Sequence, residues 1–195
     1  MFGMKKLVSW ITAIAVLAGL LTISGGTHAG DTELWQALKS PGHFAMIRHA
    51  YAPGNGDPAN FKIDDCNTQR NLDERGRAQA RKIGALFRQN GIAEPAIYAS
   101  QWCRCRETAT LLGLGIVSDL PSLNSFYERE ENKQPQMKAL RAFLNKEPME
   151  RPLILVTHFV NIGALTGVYP SSGGIVIVRM TEKGSFEPVG KIEVK

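Results

Sequence analysis

The chain has 195 residues, 44% hydrophobic and 21% charged. That composition suits one globular domain with a sizeable core, and excludes both a disordered chain and two large domains. The formal net charge is +5, and setting aside Lys5 and Lys6, which precede the first acidic residue at Asp31, leaves +3; a surplus this mild, with no Lys/Arg block and no interleaved basic-aromatic stripe, argues against nucleic acid and suits an anionic small molecule.

Residues 1–29 read as a leader: a basic Lys5-Lys6 pair, an uncharged apolar run from Leu7 to Ile23, and small residues at Thr27 and Ala29 with a cut before Gly30. An uncleaved anchor is the alternative, although the apolar run falls short of the roughly 20 residues that a span needs. Either reading puts the domain, residues 30–195, in an extracytoplasmic space, periplasmic or secreted, and touches membrane only through the leader. Asp31 to Lys39 reads as a short helix stopped by Pro41-Gly42, and His43 to Ile47 as a strand. Residues 51–70 form a polar loop long enough to expect a function for it. Asp73 to Gln89 is helical, with Leu72, Ala80, Ile83, Leu86 and Phe87 at helical spacing and Asn90-Gly91 at its end.

A strand at Ala96–Ala99, a helix over Trp102–Leu112, a brief strand at Gly115–Ser118 and a helix over Met137–Asn145 follow. The apolar run Leu153–Val156 is a buried strand, Asn161–Thr166 begins another helix, and Ile175–Met180 and Phe186–Val194 are closing strands. Alternating strands and helices predict an α/β fold with a mostly parallel sheet. The cysteines are Cys66, Cys103 and Cys105. In an oxidising compartment Cys66 pairs with Cys103 or Cys105 and one thiol stays free, because near neighbours on one turn rarely bridge each other. Cys-x-Cys is not zinc spacing, so no metal is expected.

In sheets of this kind, ligands bind beyond the carboxyl ends of the strands. Polar residues stand at three such ends: Arg48-His49 after the first strand, Ser100 after "AIYA", and Thr157-His158 after "LILV". Ser100, Arg104 and Thr108 share one helical face, with Arg104 in a first turn that already favours an anion, whereas Arg106 points elsewhere, toward solvent. Two guanidinium forks match the oxygens of a phosphate, and an imidazole can attack phosphorus.

The motifs "RHA" at 48–50, "LDERGRAQA" at 72–80, "SQWCRCRETA" at 100–109 and "VTH" at 156–158, in this order, resemble the histidine phosphatase superfamily, its phosphoglycerate mutase-like branch. The resemblance spans about residues 43–180. It implies a three-layer phosphoglycerate mutase-like fold with helices on both faces of the sheet. It implies a metal-independent phosphomonoester phosphatase that needs no cofactor, with His49 as the nucleophile that becomes phosphohistidine. Arg48, Arg104 and His158, the last in its protonated form, would hold the phosphoryl group. Asn55 resembles an asparagine that contacts phosphate in family members, and Arg70 is a candidate substrate contact. The family's acid follows the second arginine in the window occupied by "NSFYERE", which makes Glu128 the candidate and Glu130 the reserve. Ala50 stands where many members have glycine, and Tyr51-Ala52 where many read Glu-Thr. The substrate would be a phosphorylated small molecule or an envelope glycan or lipid phosphate. A phosphoryl-transfer mutase and a non-catalytic phosphate-binding envelope protein of the same fold are the alternatives.

Overall fold

The computed structural model describes residues 29–182 and 184–194; the leader expected over 1–29 lies outside them, apart from Ala29. In chain order the elements are α1 (Ala29–Leu38), β1 (His43–Arg48), α2 (Glu74–Gln89), β2 (Ala96–Ala99), α3 (Cys103–Leu111), β3 (Val117–Asp119), α4 (Lys133–Leu144), β4 (Leu153–Thr157), α5 (Phe159–Thr166), β5 (Ile175–Met180) and β6 (Phe186–Ile192). They build one six-stranded sheet in the order β3-β2-β4-β1-β5-β6. The pairings from β3 across to β1 are parallel, and β5 and β6 close the sheet as an antiparallel edge with a bulge at Ile177/Val178.

The central strands are buried on both faces, which is why they read as continuous apolar runs rather than alternating ones. Ala45 and Ile47 of β1, Ile154 and Val156 of β4 and Ile175 and Ile177 of β5 pack with Leu34, Trp35 and Leu38 of α1 and Ile83 and Phe87 of α2. Their neighbours Phe44, Met46, Leu153, Leu155, Val176 and Val178 pack on the other face with Leu140 and Leu144 of α4 and Ile162 and Leu165 of α5. The result is the three-layer arrangement expected.

Two glycines of α2 are set by close approach. A Cβ at Gly76 would collide with the carbonyl oxygen of Tyr51, and one at Gly84 with that of Leu112. Gly76 belongs to the "LDERGRAQA" stretch, so the glycine of that motif lets the first turn of α2 press against the backbone beside His49 and Ala50. Asp73 caps the helix, its side chain accepting from the Gly76 N–H.

Elements differ from expectation mainly at their ends. The helix α4 begins at Lys133, not Met137, because Pro135 sits in the first turn, where a missing N–H costs nothing. The third strand shifts to Val117–Asp119. The 51–70 loop has no strand or α-helix but is densely tied. Cys66 bonds to Cys103 across 37 residues. Gln69 donates from Nε2 to the carbonyls of Lys62 and Ile63 and accepts the Cys103 N–H at Oε1. Cys105 is the buried free thiol, and burial pushes it up to about 12, so it is an inert packing residue. Arg106, expected at the surface, is half-exposed and pairs with Asp119.

Candidate active site

Register brings the two histidines together. In the parallel β1–β4 ladder Arg48 lies opposite Thr157, so the next residues, His49 and His158, leave the sheet side by side. The His49 N–H donates to the Thr157 carbonyl at 2.9 Å, and the two rings stand 5.4 Å apart, edge to face. Next to them β2 delivers Ser100, whose N–H donates to the Val156 carbonyl. A cavity of about 280 Å³ opens over this end of the sheet, and Arg48, His49, Asn55, Arg70, Arg104, Glu128 and His158 all line it.

The protonation of His49 follows from its partner. Nδ1 lies 2.8 Å from the Ala50 carbonyl, which can only accept, so Nδ1 carries the proton and Nε2 keeps its lone pair. Burial, then the charge of Arg104, holds this ring well below the ordinary histidine value, so it is neutral at pH 7. The same two causes act on His158. This corrects the expectation of a protonated His158: a ring only 2% exposed, beside three guanidinium groups, does not take up a fourth positive charge. Ser100 Oγ donates to Asn124 Oδ1 at 3.2 Å, so its 3.0 Å contact with His158 is a donation from Nε2 of the ring. Asn124 in turn accepts the Gln101 N–H at the same Oδ1.

Positive charge around His49 comes from arginine. Arg48 donates from Nη1 to the Pro170 carbonyl and stacks its guanidinium 5.0 Å over Phe159. Arg104 is held end-on by Asp57, Nη1 to Oδ1 at 2.7 Å and Nη2 to Oδ2 at 3.1 Å. Arg70 donates to the carbonyls of Gly56 and Ala52. Burial, and after it the charge of Arg104, draws both Arg48 and Arg70 below the usual arginine value, as like charges confined in one cavity must. The Nε atoms of Arg48 and Arg104 are buried and have no hydrogen-bond partner among the described residues. The cavity itself is lined by Arg48, Arg70 and Arg104, and three guanidinium groups around one opening suit an anion. Thr108 anchors the region: its hydroxyl accepts the Ala50 N–H and donates to the Arg104 carbonyl.

The carboxylates separate. Glu128, with φ of 60°, projects at the exposed rim of the cavity facing Gly56. Glu130 pairs with Lys133 at 2.6 Å and does not line the cavity, so the reserve candidate is not brought to the site. Asn55 is exposed and donates to the Tyr127 hydroxyl. Sequence reasoning missed Asp57 altogether. Besides Arg104 it accepts the Trp102 indole N–H and the Arg70 backbone N–H. Burial pushes its carboxyl up, but these bonds and the Arg104 charge outweigh that and hold it below the ordinary carboxylate value. The only signal for Asp57 was its place in an overlong loop. Asn124 was missed too, since its role depends on a partner far along the chain.

Residues 44–133 match the family model of the histidine phosphatase superfamily (branch 1); the span ends before β4, so His158 lies beyond it. Comparison with curated protein sequences found no significant match. Among solved structures, the protein histidine phosphatase SixA complexed with tungstate is similar at 16% identity and TM-score 0.55, covering 77% of this chain and 96% of that one. The product of an open reading frame from Mycobacterium tuberculosis is similar at 16% identity and TM-score 0.60, covering 80% and 99%. A mycobacterial glucosyl-3-phosphoglycerate phosphatase is similar at 15% identity and TM-score 0.56, covering 78% and 99%. The solved structures share the fold of this chain, and residues 44–133, a little under half of it, resemble the histidine phosphatase superfamily, branch 1.

Proposed function

We propose that the chain is a phosphomonoester phosphatase that works through a phosphohistidine on His49 and needs no metal. The observation that carries this reading is a neutral His49 with its Nε2 lone pair free, in a cavity that Arg48, Arg70 and Arg104 also line. The guanidinium groups bind the phosphate oxygens and stabilise the charge that spreads over them during transfer. Nε2 attacks phosphorus in line, a P–N bond forms as the ester P–O bond breaks, and Glu128 in its acid form protonates the departing oxygen. Water then attacks phosphorus, gives its proton to the Glu128 carboxylate and displaces the imidazole, which restores His49 and releases phosphate. His158, held by Ser100 and Asn124, packs edge to face against His49 and fixes the orientation of the attacking ring.

The leader at 1–29 is the basis for placing the protein in the periplasm or outside the cell, and the Cys66–Cys103 bond suits an oxidising compartment. The test is phosphate release from p-nitrophenyl phosphate in the presence of a chelator, with the purified protein and with His49→Ala. Release that disappears in the variant is the expected result. Equal release by both proteins refutes the nucleophile, and loss of activity with the chelator refutes the metal-free chemistry. Phosphate binding without any release favours a binding protein of the same fold.

A further inference from the structure

Most of the donors that a phosphoryl group would need are already engaged. Arg104 gives its fork to Asp57, Nη1 to Oδ1 at 2.7 Å and Nη2 to Oδ2 at 3.1 Å, and Nη1 also donates to the Arg70 carbonyl. Its Nε is buried, so of the five N–H groups of a guanidinium only one, on Nη2, remains for a ligand. Arg70 donates from Nε to the Gly56 carbonyl and from Nη1 to that of Ala52. Apart from the Arg70 carbonyl, these acceptors lie in one short segment, residues 52–57, of which Gly54 to Asp57 line the cavity. Ala52 is buried and anchors its start, whereas Pro53, Gly54 and Asn55 are exposed. Gly54 and Gly56 have φ of 87° and 64°, the left-handed backbone that glycine enters without strain. The other ties of the segment are polar as well: the Trp102 indole N–H and the Arg70 backbone N–H donate to Asp57, and Asn55 donates to the Tyr127 hydroxyl.

We infer that residues 53–57 form a strap that closes the site by holding Arg104 with the Asp57 carboxylate in place of a phosphate, and that a doubly charged phosphoryl group displaces this strap while a singly charged anion does not. The inference rests on the phosphatase reading for the place of the phosphate among these arginines. A carboxylate meets a guanidinium fork with one charge and two oxygens, in the bidentate geometry that a phosphate also uses. A phosphomonoester dianion brings twice the charge and three free oxygens, and it can engage Arg48, Arg70 and Arg104 together. A singly charged anion would exchange like for like on Arg104, and the bonds of Asp57 to Trp102 and to the Arg70 N–H would be lost besides. Displacement frees the Arg104 fork and the Arg70 Nε at once, so the ligand completes its own site. The two left-handed glycines let the strap turn about its buried end at Ala52. The far end of the loop is held: the Cys66–Cys103 bond, and Gln69 accepting the Cys103 N–H, keep it against α3.

The experiment follows the two protons that Asp57 accepts besides those of Arg104, the Arg70 backbone amide and the Trp102 indole. Their hydrogen exchange is measured by NMR in the full chain at about pH 8, where phosphate is doubly charged. The chain has three tryptophans, and the Trp102 signal is the one that Trp102→Phe removes; the Arg70 amide, assigned in the unsubstituted protein, gives the same answer if that variant does not fold. Inorganic phosphate, at a concentration that calorimetry shows to be saturating, should raise both exchange rates about tenfold or more, the loss of one charge-assisted bond each. The Cys103 amide, which Gln69 holds, should not change. Acetate at the same concentration should leave all three protected. Phosphate that binds while both Asp57-bonded protons stay protected overturns the strap and leaves the phosphatase reading standing. A rise at all three protons marks a general loosening and overturns it too, as does release by acetate. Phosphate that does not bind in the calorimeter counts against the phosphatase reading and takes the strap with it.

Discussion

Replacing Asp57 with asparagine should weaken the fold and strengthen phosphate binding at once. The Asp57–Arg104 pair is well enclosed, with side chains 18% and 4% exposed. The substituted amide keeps one oxygen for the Arg70 N–H and an Arg104 N–H, but it turns its N–H₂ toward the Trp102 indole N–H and the other guanidinium nitrogen, donor against donor. Losing the charge-assisted bond and stranding the indole donor should cost about 3 kcal/mol. At roughly 2–4 °C per kcal/mol for a domain of this size, the melting temperature should fall by about 10 °C. The cavity meanwhile loses a buried negative charge beside three arginines. A unit charge about 6 Å away at an effective dielectric near 20 is worth about 3 kcal/mol, and solvent in the open cavity leaves about half of that, or tenfold in affinity. The assays are thermal melts with and without inorganic phosphate, and competitive inhibition of p-nitrophenyl phosphate hydrolysis by phosphate. An Asp57→Asn protein within about 0.5 kcal/mol of the unsubstituted one, the additive noise of such measurements, or one that phosphate inhibits no more strongly, would refute this account of Asp57.

Removing the Cys66–Cys103 bond with a double serine substitution frees a loop of 37 residues, which should cost about 4 kcal/mol, read as a shift in the urea midpoint, and should raise the KM of the same hydrolysis because the loop carries Asp57 and Arg70. Acid should destabilise the protein in a defined window. His49 and His158 are depressed, chiefly by burial, so below about pH 6.5 the unfolded chain binds two protons that the native protein does not. Their contribution should therefore be nearly flat above about pH 7.5 and fall by about 2.7 kcal/mol between about pH 7.5 and 5.5 in urea titrations; His49→Ala should show about half the fall, and an equal fall in both proteins would contradict the assignment. Gly84→Ala drives a methyl into the Leu112 carbonyl, and after the better helix propensity is counted it should still lose about 2 kcal/mol in a thermal melt, the cost of overpacking a helix contact.

Much of the site was legible because local chemistry carries it. Arg48-His49, Ser100 and Thr157-His158 each follow an apolar run that had to be a buried strand, and strands buried on both faces in an α/β sheet end at one common edge. The Arg104 and Thr108 positions follow from helical spacing alone. The sequence also restricted Cys66 to two partners and left the choice open, since Cys103 and Cys105 are near neighbours. Only the tertiary structure chose Cys103, whose Cα lies 5.8 Å from that of Cys66, and sent Cys105 into the core. It alone decided that Asp57 meets Arg104, that Glu128 and not Glu130 faces the cavity, and that Asn124 holds Ser100 against His158. These pairs are brought together by loop paths, and a loop without periodicity leaves no trace of its path in the order of its residues. The neutrality of His158 belongs to the same class: a residue type has a usual proton affinity, but burial among three guanidinium groups is a property of the assembled site.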